Sequence, residues 1–143
     1  MKRRRSREYA LQILFQLELT GAELNDDILI EFWKGIDNEP DDLKDFAHRI
    51  VRETLVNRDK IDEIIIKAAQ NWSLERMAVI DRNILRAATY ELSFRKDIPN
   101  SVAINEAIEI AKKFSTEESA SFINGILDKI ANKSKKVRTS TKR

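Results

Sequence analysis

Val102-Ala103-Ile104-Asn105-Glu106-Ala107-Ile108-Glu109-Ile110-Ala111-Lys112-Lys113-Phe114 is the stretch that decides the fold class of this chain. Ile104, Ala107, Ile108 and Ala111 recur at intervals of three and four residues, the period at which side chains share one helix face. Pro99 closes the loop before this helix. Lys112 and Lys113 end it, where positive charge complements the backbone dipole. On the C-terminal side, Ser115 or Thr116 opens a further helix carrying Phe122, Ile123, Ile126, Leu127 and Ile130. The apolar pattern stops after Asn132, and a flexible basic tail is expected over 133–143.

Working back toward the N-terminus, the same period recurs. A fifth helix carries Ile80, Ile84, Ala88 and Leu92, with Ser73 as its expected N-cap and Trp72 and Met77 as a hydrophobic staple. A break or restart is expected near Asp81. The fourth helix starts near Arg58 and carries Ile61, Ile64, Ile65 and Ala68. Its Ile64-Ile65-Ile66 triplet could pass for a strand, but the helical spacing and flanking charges decide for helix. The third helix uses Leu43, Phe46, Ala47 and Ile50. The second follows Asn25 or Asp26 and carries Ile28, Leu29, Phe32 and Trp33 before Gly35. The first begins near Ser6, carries Ala10, Leu14 and Leu17, and stops at Gly21. The expected fold is therefore all-α, with about seven helices. The acidic loop around Pro40 is the weakest joint and the expected boundary between an N-terminal and a C-terminal helix group. A helical domain over 1–132 with a basic arm at 1–7 summarises this reading.

Composition agrees. The 143 residues hold three glycines and two prolines, too few punctuators for a many-turned β fold. No apolar run approaches the roughly 20 residues that span a bilayer. Glu8, Gln12 and Gln16 interrupt any apolar stretch behind the charged start, so a secretory signal is not expected. Cysteine is absent, which excludes disulfides, thiolate metal sites and cysteine nucleophiles. A cytoplasmic location is the expectation.

The net charge of +2 hides a segregation. Residues 1–8 carry a net +4, residues 129–143 a net +7, and the body between them a net −9. Basic ends on an acidic body point to local attraction to a polyanion, with solvated tails as the alternative. Lys2, Arg3, Arg4, Arg5 and Arg7 crowd the start of the first helix, where cations oppose the dipole. That cost is understandable if the guanidinium groups serve phosphates, onto which their planar donors fork. Arg82, Arg86, Arg95 and Lys96 form a second basic group on or beyond the fifth helix.

Signals for catalysis are weak. His48 is the one histidine, inside a helix, and reads as structural. Glycines 21, 35 and 125 are too far apart to form a phosphate loop. Carboxylate pairs such as Asp41-Asp42 and Glu117-Glu118 read as solvated surface. The chain is expected to be a binding protein that needs no cofactor or metal.

Three blocks resemble the NusB family of bacterial transcription antitermination factors. The first is Arg3-Arg4-Arg5-Ser6-Arg7-Glu8-Tyr9-Ala10-Leu11-Gln12-Ile13-Leu14-Phe15. Next comes Trp72 to Leu92, above all Asp81-Arg82-Asn83-Ile84-Leu85-Arg86 and Tyr90-Glu91-Leu92. The last is Pro99 with Val102 to Lys112, continuing into Phe122-Ile123-Asn124-Gly125-Ile126-Leu127-Asp128. The resemblance implies an all-α fold of about seven helices in two packed helical subdomains, and binding of the boxA element of nascent single-stranded RNA together with the ribosomal protein NusE. It also implies work with other Nus factors on an RNA polymerase elongation complex. Carried onto this sequence, the RNA-contacting positions are Arg3, Arg4, Arg5, Arg7, Arg86, Lys112, Lys113, Glu118, Ser121 and Phe122. The partner-contacting positions are Phe15, Glu75, Arg76 and Asp81. Where Phe15 stands the family often has Tyr, so a hydrogen bond from that hydroxyl has no donor here. NusB-like domains also occur fused to RNA cytosine methyltransferases, a role this cysteine-free chain has no means to fill. Two alternatives stay in play: a protein–protein scaffold with merely solubilising ends, and self-association as a homodimer.

Overall fold

The computed structural model describes the backbone of residues 2–141 and the side chains of residues 3–133. The flexible tail expected over 133–143 lies, beyond Lys133, outside the described side chains. Among the described residues the chain is all-α, with seven α-helices and one short 3-10 turn. The helices are α1 (Lys2–Thr20), α2 (Asp26–Trp33), α3 (Asp41–Val56), α4 (Arg58–Ala68), α5 (Val79–Phe94), α6 (Asn100–Phe114) and α7 (Glu117–Thr141). The 3-10 turn covers Leu74–Arg76.

The chain divides into two compact units, Met1–Val56 and Asn57–Arg143. The boundary follows α3, which corrects the expectation from the sequence that it lies at the Pro40 loop. That loop is folded into the first unit, because Glu39 is buried and binds Arg5 and Tyr9 of α1.

In the first unit α1 packs on α3. Ala10, Leu11, Ile13, Leu14 and Leu17 are buried on α1, and Leu43, Phe46, Ala47, Ile50 and Val51 on α3. Gly21 ends α1 at φ +71, a left-handed conformation that only glycine adopts without strain. Its N–H donates to the Leu17 carbonyl at 2.9 Å. Asn25 caps α2 by accepting the Ile28 N–H at 2.9 Å. Helix α1 starts at Lys2, not near Ser6, so residues 2–7 are helix and not an arm. Tertiary contact explains the extension: the buried Ser6 hydroxyl donates to the Leu43 carbonyl at 2.9 Å.

In the second unit α5 is the central helix, in contact with α4, α6 and α7. Ten of its residues are buried, from Asp81 to Leu92. Helix α4 forms through the Ile triplet as the periodicity requires, with Ile61, Ile65 and Ala68 inside. Helix α6 turns its small residues inward: Ala103, Ala107, Ile110 and Ala111 are buried. That face is rotated slightly from the expected one, leaving Ile104 and Ile108 half-buried. The expected fifth helix is interrupted: a 3-10 turn precedes α5, with Met77 extended between them. Ser73 makes no side-chain cap, and Trp72 packs on Phe122 of α7. Thr116 caps α7 through its hydroxyl, which accepts the Ser119 N–H at 3.0 Å. No helix of the described residues is long and apolar enough to cross a membrane.

Candidate functional site

The first turns of α1 hold four arginines in six residues, and each meets a different environment. Arg3 is exposed and lies over the Phe46 ring, 3.9 Å from its centroid. The ring's negative face attracts the cation and offsets part of the dipole penalty. Arg5 is exposed too, but it is paired with the Glu39 carboxylate, which also accepts the Tyr9 hydroxyl. Those two donors hold the Glu39 carboxyl below its ordinary range, Tyr9 contributing most and burial opposing. The same bond to Glu39 raises the Tyr9 phenol and keeps it a donor. Arg4 is half-buried. Arg7 is buried, 5.6 Å from the Phe46 ring, and belongs to the packing of α1 on α3. Of this cluster, Arg3 and Arg5 are the guanidinium groups most open to an incoming phosphate.

The second set of expected RNA residues lies around the α6–α7 turn. Lys112 and Lys113 are exposed at the end of α6. Lys112 reaches Glu109 at 3.7 Å, and Lys113 sits 5.4 Å from the Phe114 ring. Glu118 and Ser121 are exposed on the first turns of α7. Phe122 is half-buried and meets Trp72 edge-to-face, with ring centroids 5.6 Å apart.

A carboxylate fixes this turn. Asp81, on the first turn of α5, is buried and accepts the Ser115 hydroxyl at 2.7 Å and the Ser119 hydroxyl at 2.8 Å. Those serines flank the start of α7, so one side chain ties the turn to the central helix. Asp81 was expected on the partner surface; both of its oxygens are instead spent inside the unit. Of the other expected partner residues, Phe15 is half-buried on α1, while Glu75 and Arg76 are exposed on the 3-10 turn. Arg82 steadies that turn from behind, donating to the Leu74 and Met77 carbonyls at 3.3 and 3.1 Å.

Arg86 is placed differently from an open phosphate ligand. Its side chain is 7% exposed, and it donates to both oxygens of Asp62 on α4, at 2.8 and 3.1 Å. The fork matches a carboxylate as it would a phosphate, and the pair, a buried cation on a half-buried carboxylate, holds α4 to α5. Arg95 is likewise buried and donates to Asp97 at 2.9 and 2.7 Å. The basic group foreseen along the fifth helix is therefore largely structural.

Sequence reasoning missed Glu39, Phe46, Asp62 and Trp72 as neighbours of the site. Glu39 and Asp62 stand 34 and 24 residues from their arginines, a separation that no local spacing encodes. Phe46 was expected as core, which it is, but nothing indicated that its ring carries two guanidinium groups. Among the described residues no cluster of His, Asp or Glu is arranged to hold a metal.

The model of the NusB family matches residues 4–132. A transcription antitermination protein NusB of Desulfitobacterium hafniense is 52% identical over 130 residues, covering 91% of this chain and 88% of the relative. The solved structure of T. maritima NusB superposes with a TM-score of 0.82 at 46% identity, covering 91% of this chain and 90% of that one. A crystal structure of the antitermination factors NusB and NusE in complex with double-stranded RNA superposes at 0.82 and 26% identity, covering 92% and 96%.

Proposed function

The chain belongs to the NusB family, and from that premise we propose that it is a non-catalytic RNA-binding adaptor in transcription antitermination. Its ligand is boxA-type single-stranded RNA, bound together with the ribosomal protein NusE. The observation that carries this reading is the arginine-rich start of α1, where Arg3 and Arg5 are exposed despite the unfavourable helix dipole. In this reading Arg3, Arg4 and Arg5 anchor phosphates, and Lys112 and Lys113 add charge at the α6–α7 turn. Ser121 and Phe122 supply hydrogen bonding and a ring for an unpaired base. Glu118 repels phosphate and limits affinity. Arg7 and Arg86 act by building the surface, since both are buried. Phe15, Glu75 and Arg76 contact NusE, and the acidic body favours a basic partner of that kind. Other Nus factors and the RNA polymerase elongation complex are partners of the assembled unit.

The solved relative that carries NusE also carries double-stranded RNA, so the choice of strand is part of the test. Binding of the purified chain, with and without NusE, is measured for a boxA-type single strand, a scrambled strand and a duplex. Tightest binding to the boxA-type strand, strengthened by NusE, is expected. Equal affinity for all three RNAs under both conditions would sink the selective reading.

A further inference from the structure

Trp72 stands out among the aromatic residues. Trp33 is buried against Tyr9, Phe32 and His48. Trp72 is 55% exposed, far more than core packing explains. Its ring is held at 74° to the half-buried ring of Phe122, so the two make a corner with open indole surface. Its indole N–H has no hydrogen-bond partner among the described residues.

The backbone on either side of this open ring is hydrogen-bonded. The Trp72 N–H donates to the Ala69 carbonyl at 2.8 Å. Arg82 holds the carbonyls of the following 3-10 turn. Across the corner, Asp81 holds Ser115 and Ser119 at the start of the helix that bears Phe122. A large flat ring kept exposed and braced on one side by a second ring is the geometry of a stacking platform. Every base has a π-face, and stacking on an aromatic side chain needs no particular sequence. A second wall supplied by Phe122, with Ser121 and Lys112 and Lys113 on the same α6–α7 turn, points to a nucleic-acid base rather than a purely apolar group.

We propose that Trp72 stacks an unpaired RNA base in the corner it forms with Phe122, as a base-binding residue in its own right. The inference rests on the RNA-binding reading of the α6–α7 turn. Trp72 would act as the sequence-tolerant wall, leaving hydrogen-bond discrimination to its neighbours.

Intrinsic fluorescence tests this directly, because the chain has two tryptophans and Trp33 is buried. The full chain is titrated with the boxA-type single strand, with NusE present, beside the variants W72F and W72A. Quenching of tryptophan emission is expected in the parent and absent in both variants. W72F should bind nearly as tightly as the parent, since phenylalanine still stacks, while W72A should bind about tenfold more weakly. An unchanged circular-dichroism melt in W72A certifies the fold, as an exposed ring should allow. Three results would overturn the proposal. The first is tight RNA binding by the parent without quenching, and the second is W72A binding as tightly as the parent. The third is loss of NusE binding in W72A with RNA affinity untouched, which would assign the ring to the protein partner. Failure of the parent to bind RNA at all would overturn the RNA reading itself.

Discussion

Trp33 donates its indole N–H to His48 Nε2 at 2.7 Å, which fixes the imidazole as a neutral acceptor. A protonated ring would present a second donor there and lose the bond. Burial is the main cause that lowers the His48 pKa below its ordinary 6.5, with Arg52 adding to it and Asp45 opposing. A histidine depressed in the folded state binds fewer protons there than in the unfolded chain. Stability therefore rises with pH across the window below 6.5, and is lost as pH falls toward the folded value. We expect urea midpoints to drop between pH 7 and pH 5, and His48→Gln, which keeps an acceptor, to flatten that drop. An NMR titration of His48 giving a pKa at or above 6.5 would contradict the assignment. Glu39 follows the usual carboxylate direction: its contribution is present above 4.5 and lost on further acidification.

Between elements, long-range charge pairs fix what periodicity leaves open. Asp62 of α4 and Arg86 of α5 form a forked pair whose cation is almost fully buried. Removing the carboxylate takes away both hydrogen bonds of the fork, so Asp62→Ala should destabilise the chain by about 2 kcal/mol in denaturant unfolding. A loss near zero would mean that water replaces the carboxylate freely. Asp81 does the same for the α6–α7 turn. Replacing Ser115 and Ser119 together by Ala leaves its carboxylate buried without those donors, and we expect about 2 kcal/mol of destabilisation. RNA affinity should fall as well, measured well below the unfolding midpoint; unchanged affinity would show that the turn holds its shape without the clasp. These pairs also mark where sequence reading ended. Gly21, Asn25, Thr116 and the Ile64–Ile66 triplet were legible because caps and helix faces are written within four residues of themselves. The Asp62, Asp81 and Glu39 contacts join residues 24 to 38 apart, and only the fold brings them together. The same cause misplaced the unit boundary at Pro40 and left Arg86 looking open. Burial of Ser6 and Arg7 against α3 extends α1 over a basic run that the helix dipole disfavours at its N-terminus.

The molecule places positive charge where a helix dipole opposes it. A net −9 body carries basic ends, and the N-terminal one is built into α1 instead of trailing from it. Arginines on a folded helix present their donors with less entropy to lose than a free tail would. The scaffold alternative predicts that these groups only keep the chain dissolved. Salt dependence separates the two readings, because each phosphate neutralised on a single strand adds about 0.7 to the slope of log K against log salt. The decisive measurement is the affinity for boxA-type single-stranded RNA, with NusE present, over a series of salt concentrations. It compares the parent chain with a variant in which Arg3, Arg4 and Arg5 are all replaced by Ala. Our account predicts weaker binding by the variant and a slope shallower by about 2. Identical affinity and slope for the two chains would contradict it.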